Sequence, residues 1–296
     1  MQIEGKIKEN ELLARYCTFQ IGGPADFFLE AASTKELLAG IEWAEERDLP
    51  YFVFGAGSNL LFDDEGFRGL VIRVKSEGLK VEGERITVDA GVMSAKVVLA
   101  AAEAGLTGLE AWNGLPGTVG GAVYGNAGCF GVETKDVLES AEVFFPGEEG
   151  EGKEPRLRRV GVEFFEYGYR NSRLKKEADI VLNAVFRLKK GDPAAIKTRM
   201  MEVAKSRIQK QPAGSSTGSF FKNPSPEQSA GWLIEQCGLK GKRVGGAQIS
   251  EQHGNFFLST GKTTAADILA LADLAEKTVL EKFGVTLERE VVFVRA

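Results

Sequence analysis

One histidine and three cysteines in 296 residues are too few to build a metal centre. Cys17, Cys129 and Cys237 stand far apart with no C-x-x-C spacing, and His253 is alone. A zinc site takes about four ligands, so no metal is expected. An odd, scattered set of thiols also suits a reducing compartment better than an oxidising one. No apolar run approaches the ~20 residues that span a bilayer, and Met1 to Lys6 lacks the apolar core of a signal peptide. A cytoplasmic protein without membrane insertion is the expectation. Basic charge is in deficit, with 37 Lys and Arg against 42 Asp and Glu for a formal net charge of −5, which argues against a nucleic-acid partner. Nothing implies a protein partner either. Any anionic ligand must be held by a local group of Arg, Lys and backbone amides.

What is present is ordinary soluble composition, 43% hydrophobic and 27% charged, in a chain long enough for two or three domains. Ser33 and Glu36 form a capping box for a helix to about Asp48, and Tyr51–Phe54 reads as a buried strand followed by a glycine turn. Strands are expected over Gly69–Val74, Arg85–Asp89, Leu138–Phe145 and Ile180–Leu188. Helices are expected over Ser94–Glu103, closed by Gly105, and from Asp192-Pro193 to about Gln211. Shorter and longer helices follow near Glu227–Cys237 and Ala265–Phe283, and a terminal strand over Val285–Val294. Pro146–Pro155 reads as an acidic surface turn. Five glycines and prolines in residues 114–122 predict neither helix nor strand there, only a packed loop or a ligand loop. The mixture predicts α+β or α/β architecture, with boundaries near residues 78 and 190.

Several short motifs fail on a required residue. Gly55-x-Gly57 follows a strand, but Leu60 stands where a dinucleotide turn has its third glycine. Gly261-Lys262-Thr263 resembles the end of a P-loop, yet Phe256 occupies the place of its first glycine. Ser219 and Lys222 match the S-x-x-K of serine acyl transferases without the companion elements, which leaves a Ser–Lys hydrolase as an alternative. A nucleotide-binding protein without catalysis is a third reading.

The two glycine-rich segments carry more as a pair. Residues 55–59 and 114–128 both present backbone amides free of side-chain obstruction, suited to a pyrophosphate in an acidic protein. Tyr169 and Arg170 lie between strands, and Ser219, Lys222 and Asn223 lie in a Pro-, Gly- and Ser-rich connection. Glu288 and Glu290, at i and i+2 of the expected terminal strand, point to one face, with Arg289 or solvent as their ordinary partner.

Taken together these segments resemble the UDP-N-acetylenolpyruvoylglucosamine reductases over nearly the whole chain. Thr18–Pro24, Gly55–Leu61 and Gly114–Ala122 are similar to that family's flavin-binding elements; Tyr169–Ser172, Gly218–Pro224 and Leu287–Val291 are similar to its catalytic segments. Gln20 and Ser259 depart from the residues many relatives carry. The resemblance implies an α+β fold: a two-part FAD-binding region of the vanillyl-alcohol-oxidase type (residues 1–77 and 78–190) and a C-terminal α+β substrate-binding domain (191–296). The shortness of the chain is similar to the compact second class of the family.

The implied cofactor is FAD, with NADPH as hydride donor and a UDP-sugar as substrate. Gly55, Gly57, Ser58, Asn59, Leu60, Pro116, Gly117, Thr118, Gly120, Gly121, Ala122 and Asn126 are the implied cofactor contacts. The implied chemistry passes hydride from NADPH to flavin N5 and on to C3 of an enolpyruvyl ether. Arg170, helped by Glu290, stabilises the resulting charge, and Ser219 protonates C2. Glu290 is preferred to Glu288 for its place before Val291-Val292-Phe293. Tyr169, Lys222, Asn223, Gln248, His253 and Asn255 are the implied substrate contacts, and Gln248 and His253 could equally be structural.

Overall fold

The computed structural model of the chain describes residues 3–146 and 156–295. Except for Pro146, the expected acidic turn lies outside the described residues. Helix α1 (Thr34–Glu45) starts at the Ser33 cap, whose side chain accepts from Glu36 N, and it buries Leu37, Ile41 and Ala44. That apolar stripe covers a four-stranded sheet ordered Lys8–Leu12, Pro24–Ala31, Phe67–Val74, Tyr51–Phe54. The last three strands run parallel, as a helical crossover requires.

A second, antiparallel sheet is ordered Leu157–Gly161, Leu138–Phe144, Ile180–Arg187, Arg85–Asp89, Leu79–Glu82. Helices α2 (Ser94–Glu103), α3 (Val119–Gly125) and the single turn α4 (Thr134–Val137) lie with it around a core that includes Trp112, Val119, Val123 and Phe186. Helix α3 corrects the expectation of an irregular loop. Thr118 caps it, and Val119, Ala122 and Val123 form a buried i, i+3, i+4 stripe. Glycine is required inside it because a β-carbon on Gly120 would come within 2.9 Å of Ala90 Cβ. Packing, not propensity, makes this segment helical.

Helices α5 (Pro193–Lys210), α6 (Ala230–Gln236) and α7 (Ala265–Phe283) follow, with a small sheet of Arg243–Val244, Ala247–Ile249 and Phe257–Ser259. The expected long terminal strand is reduced to Val292–Val294, which pairs in parallel with Leu60–Phe62. The residues before it change partner: Arg289 bridges Phe221 instead. One apolar core joins Phe19, Phe28, Phe54 and Phe62 from the N-terminal part to Phe220, Phe257, Ile268 and Leu271 from the C-terminal part. The first and last thirds of the chain therefore share an interior, and the middle sheet has a core of its own while also packing Phe144 and Leu182 against Leu29, Leu37 and Ile72.

Asp64 fastens that shared core from outside. Its carboxylate accepts from Ala265 N at 2.7 Å and Ala266 N at 3.1 Å, at the first turn of α7, where helix amides lack internal partners. Asp64→Ala is expected to lower unfolding free energy by about 1–2 kcal/mol. A urea titration checks this: the midpoint should fall while the slope stays unchanged.

Candidate active site

Tyr169 and Arg170 are the central residues of a tight turn closed by Gly168 N to Asn171 O, 3.1 Å, and Asn171 N to Gly168 O, 3.2 Å. Arg170 has φ +52°, a left-handed conformation that costs a residue with a β-carbon roughly 1–2 kcal/mol. Its guanidinium Nε lies 3.0 Å from Glu290 Oε1, with both side chains largely buried. The Nε–H is not aligned on that oxygen and reaches no acceptor among the described residues. The contact is one of charge, and the donor stays available.

Glu290 arrives on a segment paired to the connection that carries Ser219. Glu290 N donates to Phe220 O and Lys222 N donates to Glu288 O, each at 2.8 Å. Asn59, from the first glycine loop, donates Nδ2 to Glu290 O at 3.0 Å. Glu288 and Glu290 consequently leave on one side. Arg289 leaves on the other, where Asp273 and Glu276 of α7 take its guanidinium, so it pairs with neither neighbouring glutamate. The exposed Glu288 takes the Lys222 ammonium, whereas the half-buried Glu290 takes Arg170. Ser219 is exposed one residue before Phe220. Tyr169 Oη, 3.4 Å from Asn223 N, closes the ring of contacts.

Burial pushes the Glu290 carboxyl above the usual range, against the opposing pull of Arg170, Lys175 and Lys222. Lys175 was not anticipated. It donates Nζ to Arg170 O at 2.7 Å, and burial followed by the charge of Lys222 holds it below its ordinary range. Nothing in the sequence separates it from its exposed neighbour Lys176. Three cations against two carboxylates leave this cluster positive, which suits an anionic ligand. A cleft of about 430 Å³ opens beside Tyr169 and Arg170, lined also by Cys129, Glu133 and Lys135.

The two glycine loops meet. A β-carbon on Gly55 would lie 2.2 Å from Thr118 Oγ1, and one on Gly117 would lie 2.9 Å from Ser58 Oγ. Gly57 has φ +65°, and a β-carbon there would strike Tyr16 O at 2.3 Å. The amides of Ala56, Gly57, Ser58 and Asn59 in one loop, and Gly117 and Thr118 in the other, donate to no acceptor among the described residues. Beside them the buried hydroxyls of Thr18 and Ser94 are also without partners. Thr18 N donates to Gly57 O and Ser94 N to Gly117 O, which fixes one unpaired hydroxyl at each loop. Unpaired buried donors on two touching loops are what a large polar cofactor would satisfy. Thr18 opens the Thr18–Pro24 segment that the resemblance assigns to flavin binding, whereas Ser94 was not singled out from the sequence.

Other anticipated residues are spent inside the protein. Gly120 N donates to Ala90 O, Ala122 N to Thr118 O and Gly121 N to Thr118 Oγ1, so these three amides belong to the start of α3. Pro116 has no N–H to offer, and Leu60 begins the strand beside Val292. Asn126 ends α3 at φ +46°, fully buried; its Nδ2 donates to Gly168 O at 3.0 Å and Oδ1 accepts from Lys135 N. It supports the Arg170 turn from behind. Asn255 clasps the Phe221 backbone, accepting from its N at 2.9 Å and donating to its O at 2.8 Å. Gln248 accepts from Arg243, and His253 Nδ1 accepts from Asn255 N at 3.1 Å. These contacts place Asn126 and Asn255 as supports of the cluster. Gln248 and His253 have their own partners away from Arg170 and Glu290.

A relative from Chloroflexus aurantiacus, named UDP-N-acetylenolpyruvoylglucosamine reductase, is 42% identical across 95% of this chain and 95% of its own length. This chain belongs to the UDP-N-acetylenolpyruvoylglucosamine reductase family. The model of that reductase's C-terminal domain matches residues 209–294, and an FAD binding domain model matches residues 25–151. The reductase of Caldicellulosiruptor bescii is 44% identical over 95% of this chain and 88% of its own. The crystal structure of UDP-N-acetylenolpyruvylglucosamine reductase from Thermus caldophilus superposes with a TM-score of 0.81 at 39% identity, covering 95% of this chain and 97% of that one. The chain is accordingly an α+β, FAD-dependent oxidoreductase, and both glycine loops fall inside the FAD-binding match. The unpaired donors described above fit that cofactor.

Two outcomes follow for this reductase site. Asn255→Ala leaves both Phe221 backbone groups unpaired in the interior and is expected to cost ~2–4 kcal/mol, read by denaturant titration. Glu290 has a folded pKa above its ordinary 4.5, so between the two values the folded state holds more protons and stability falls as pH rises. Glu290→Gln should therefore raise the melting temperature near neutral pH, with the gain vanishing below about pH 4, where both states of Glu290 are protonated. Loss of that pH dependence is the sign to look for in thermal scans.

Proposed function

We propose that the chain reduces UDP-N-acetylglucosamine enolpyruvate to UDP-N-acetylmuramate with NADPH as donor, a cytoplasmic step in peptidoglycan precursor synthesis. The observation that carries this reading is the contact of Arg170 with Glu290 across 120 positions of sequence, with Glu290 N held by the carbonyl of Phe220, the residue after Ser219. The two glycine loops would hold FAD, which when bound would supply hydride chemistry to the enolpyruvyl group. Residues 1–77 and 78–190 serve that binding, and residues 191–296 bring the substrate.

The remaining work falls to side chains. Hydride arrival at C3 leaves negative charge on C2 and the adjoining carboxylate, and Arg170 offers its fixed positive charge and a free Nε–H there. Burial raises the Glu290 pKa and so eases its protonation, while Arg170 beside it offsets the repulsion its carboxylate would have for that charge. Ser219, next to Phe220 whose carbonyl holds Glu290 N, delivers the proton to C2. Lys222 and Tyr169, at the exposed edge, suit the diphosphate of the substrate. A Ser–Lys hydrolase is disfavoured because the Lys222 side chain is paired with Glu288 and makes no hydrogen bond to Ser219 among the described residues.

Visible spectroscopy of the FAD-bound protein tests the reading. NADPH without oxygen should bleach the flavin band, and the enolpyruvyl sugar nucleotide should restore it. Ser219→Ala should slow restoration ~10²–10⁴-fold and leave bleaching by NADPH unchanged. Equal slowing of both steps removes Ser219 as proton donor; a band that substrate never restores removes the proposed substrate.

A further inference from the structure

We propose that Lys175 is a positioning residue for the substrate half of the reaction, holding Arg170 in the backbone conformation that aims its guanidinium at Glu290. The inference rests on the reading given under Proposed function. Nothing about Lys175 as a sequence feature suggests it, since Lys175 and Lys176 look like a solvated pair.

The turn that carries Arg170 is fastened on both flanks to the middle domain. On one side Asn126 donates to Gly168 O at 3.0 Å. On the other, Ser172 donates its hydroxyl to Tyr124 O at 2.6 Å, and Leu174 is buried two residues later. Between these anchors the Arg170 peptide still has to be kept in the left-handed region, φ +52°, which arginine disfavours. The Lys175 ammonium supplies the missing tether, donating to Arg170 O at 2.7 Å. It is built for this: the Arg173–Lys175 turn folds the lysine back onto a carbonyl five residues earlier.

The surroundings of the ammonium argue against a casual surface contact. It lies 5.9 Å from the Tyr124 ring and faces the charges of Arg170, Lys222, Glu288 and Glu290. Burial and two neighbouring cations disfavour its charge. A lysine kept in such a place is kept for the bond it makes. Rotation of the freed peptide would swing the guanidinium away from Glu290, and misplacement of such a group by about 1 Å costs on the order of 100-fold in rate.

Anaerobic stopped-flow on FAD-bound Lys175→Met and Lys175→Arg separates the two half-reactions. With Lys175→Met, reoxidation by the enolpyruvyl sugar nucleotide should slow ~100-fold. Reduction by NADPH and the FAD content should match the unaltered protein. Lys175→Arg, which also donates to a carbonyl, should recover most of the lost rate. Amide hydrogen exchange over residues 168–172 should quicken in Lys175→Met and stay slow in Lys175→Arg, a readout that needs no substrate. Unchanged reoxidation, equal slowing of both halves, or unchanged exchange each overturns the proposal. If Lys175→Met does not accumulate as folded protein, Lys175→Gln against Lys175→Arg gives the same comparison. A failure of the unaltered protein to be reoxidised by that substrate instead removes the proposed function, and the exchange result still decides the role of Lys175.

Discussion

Glu290 is the residue at which the separate parts of the chain are tied together. Its amide is held by Phe220, its carbonyl by Asn59 of the first glycine loop, and its carboxylate by Arg170 of the middle domain. Each bond comes from a different region of sequence, and none is local. Backbone groups buried in this way need partners, so the path of the C-terminal segment is set by satisfying them. The short parallel pairing of Val292–Val294 with Leu60–Phe62 then completes the join.

The arrangement makes the acid and the cofactor loop parts of one device. Asn59 sits in the loop whose free amides fit FAD, and its side chain pins Glu290. The core shared by the first and last thirds of the chain explains how this is kept stiff: Phe19, Phe54, Phe220 and Phe257 lie in one interior directly behind both segments. Arg170, by contrast, is supplied by the middle domain with its own core. The Arg170–Glu290 contact therefore joins residues carried on two different cores. A charge contact tolerates small shifts better than an aligned hydrogen bond does.

Several residues that read as ligand contacts work as framework. Asn126 directs its amide at Gly168 O, Lys135 N and the Glu133 carboxylate, and Asn255 directs both halves of its amide at the Phe221 backbone. Buried amides of this kind rigidify a site because leaving either half unpaired is costly. The same economy of partners accounts for Gly120, Gly121 and Ala122, whose amides start α3 and point into the domain.

Local signals determined much of the chain by themselves. Capping boxes and Pro193 located the helices, because caps and helix starts are written in adjacent residues. The glycine loops and the segments holding Arg170, Ser219 and Glu290 were legible as composition and as a family resemblance. Tertiary structure alone decided the rest. It made a helix of Val119–Gly125 against propensity, and it shortened the last strand by giving Arg289 and Val292 different partners. It also parted Glu288 from Glu290, which share a face but not an environment. Lys175 and Ser94 were invisible for the same reason: what distinguishes them is burial and the presence or absence of a partner. Periodicity records which face a side chain takes; only packing determines what it meets there.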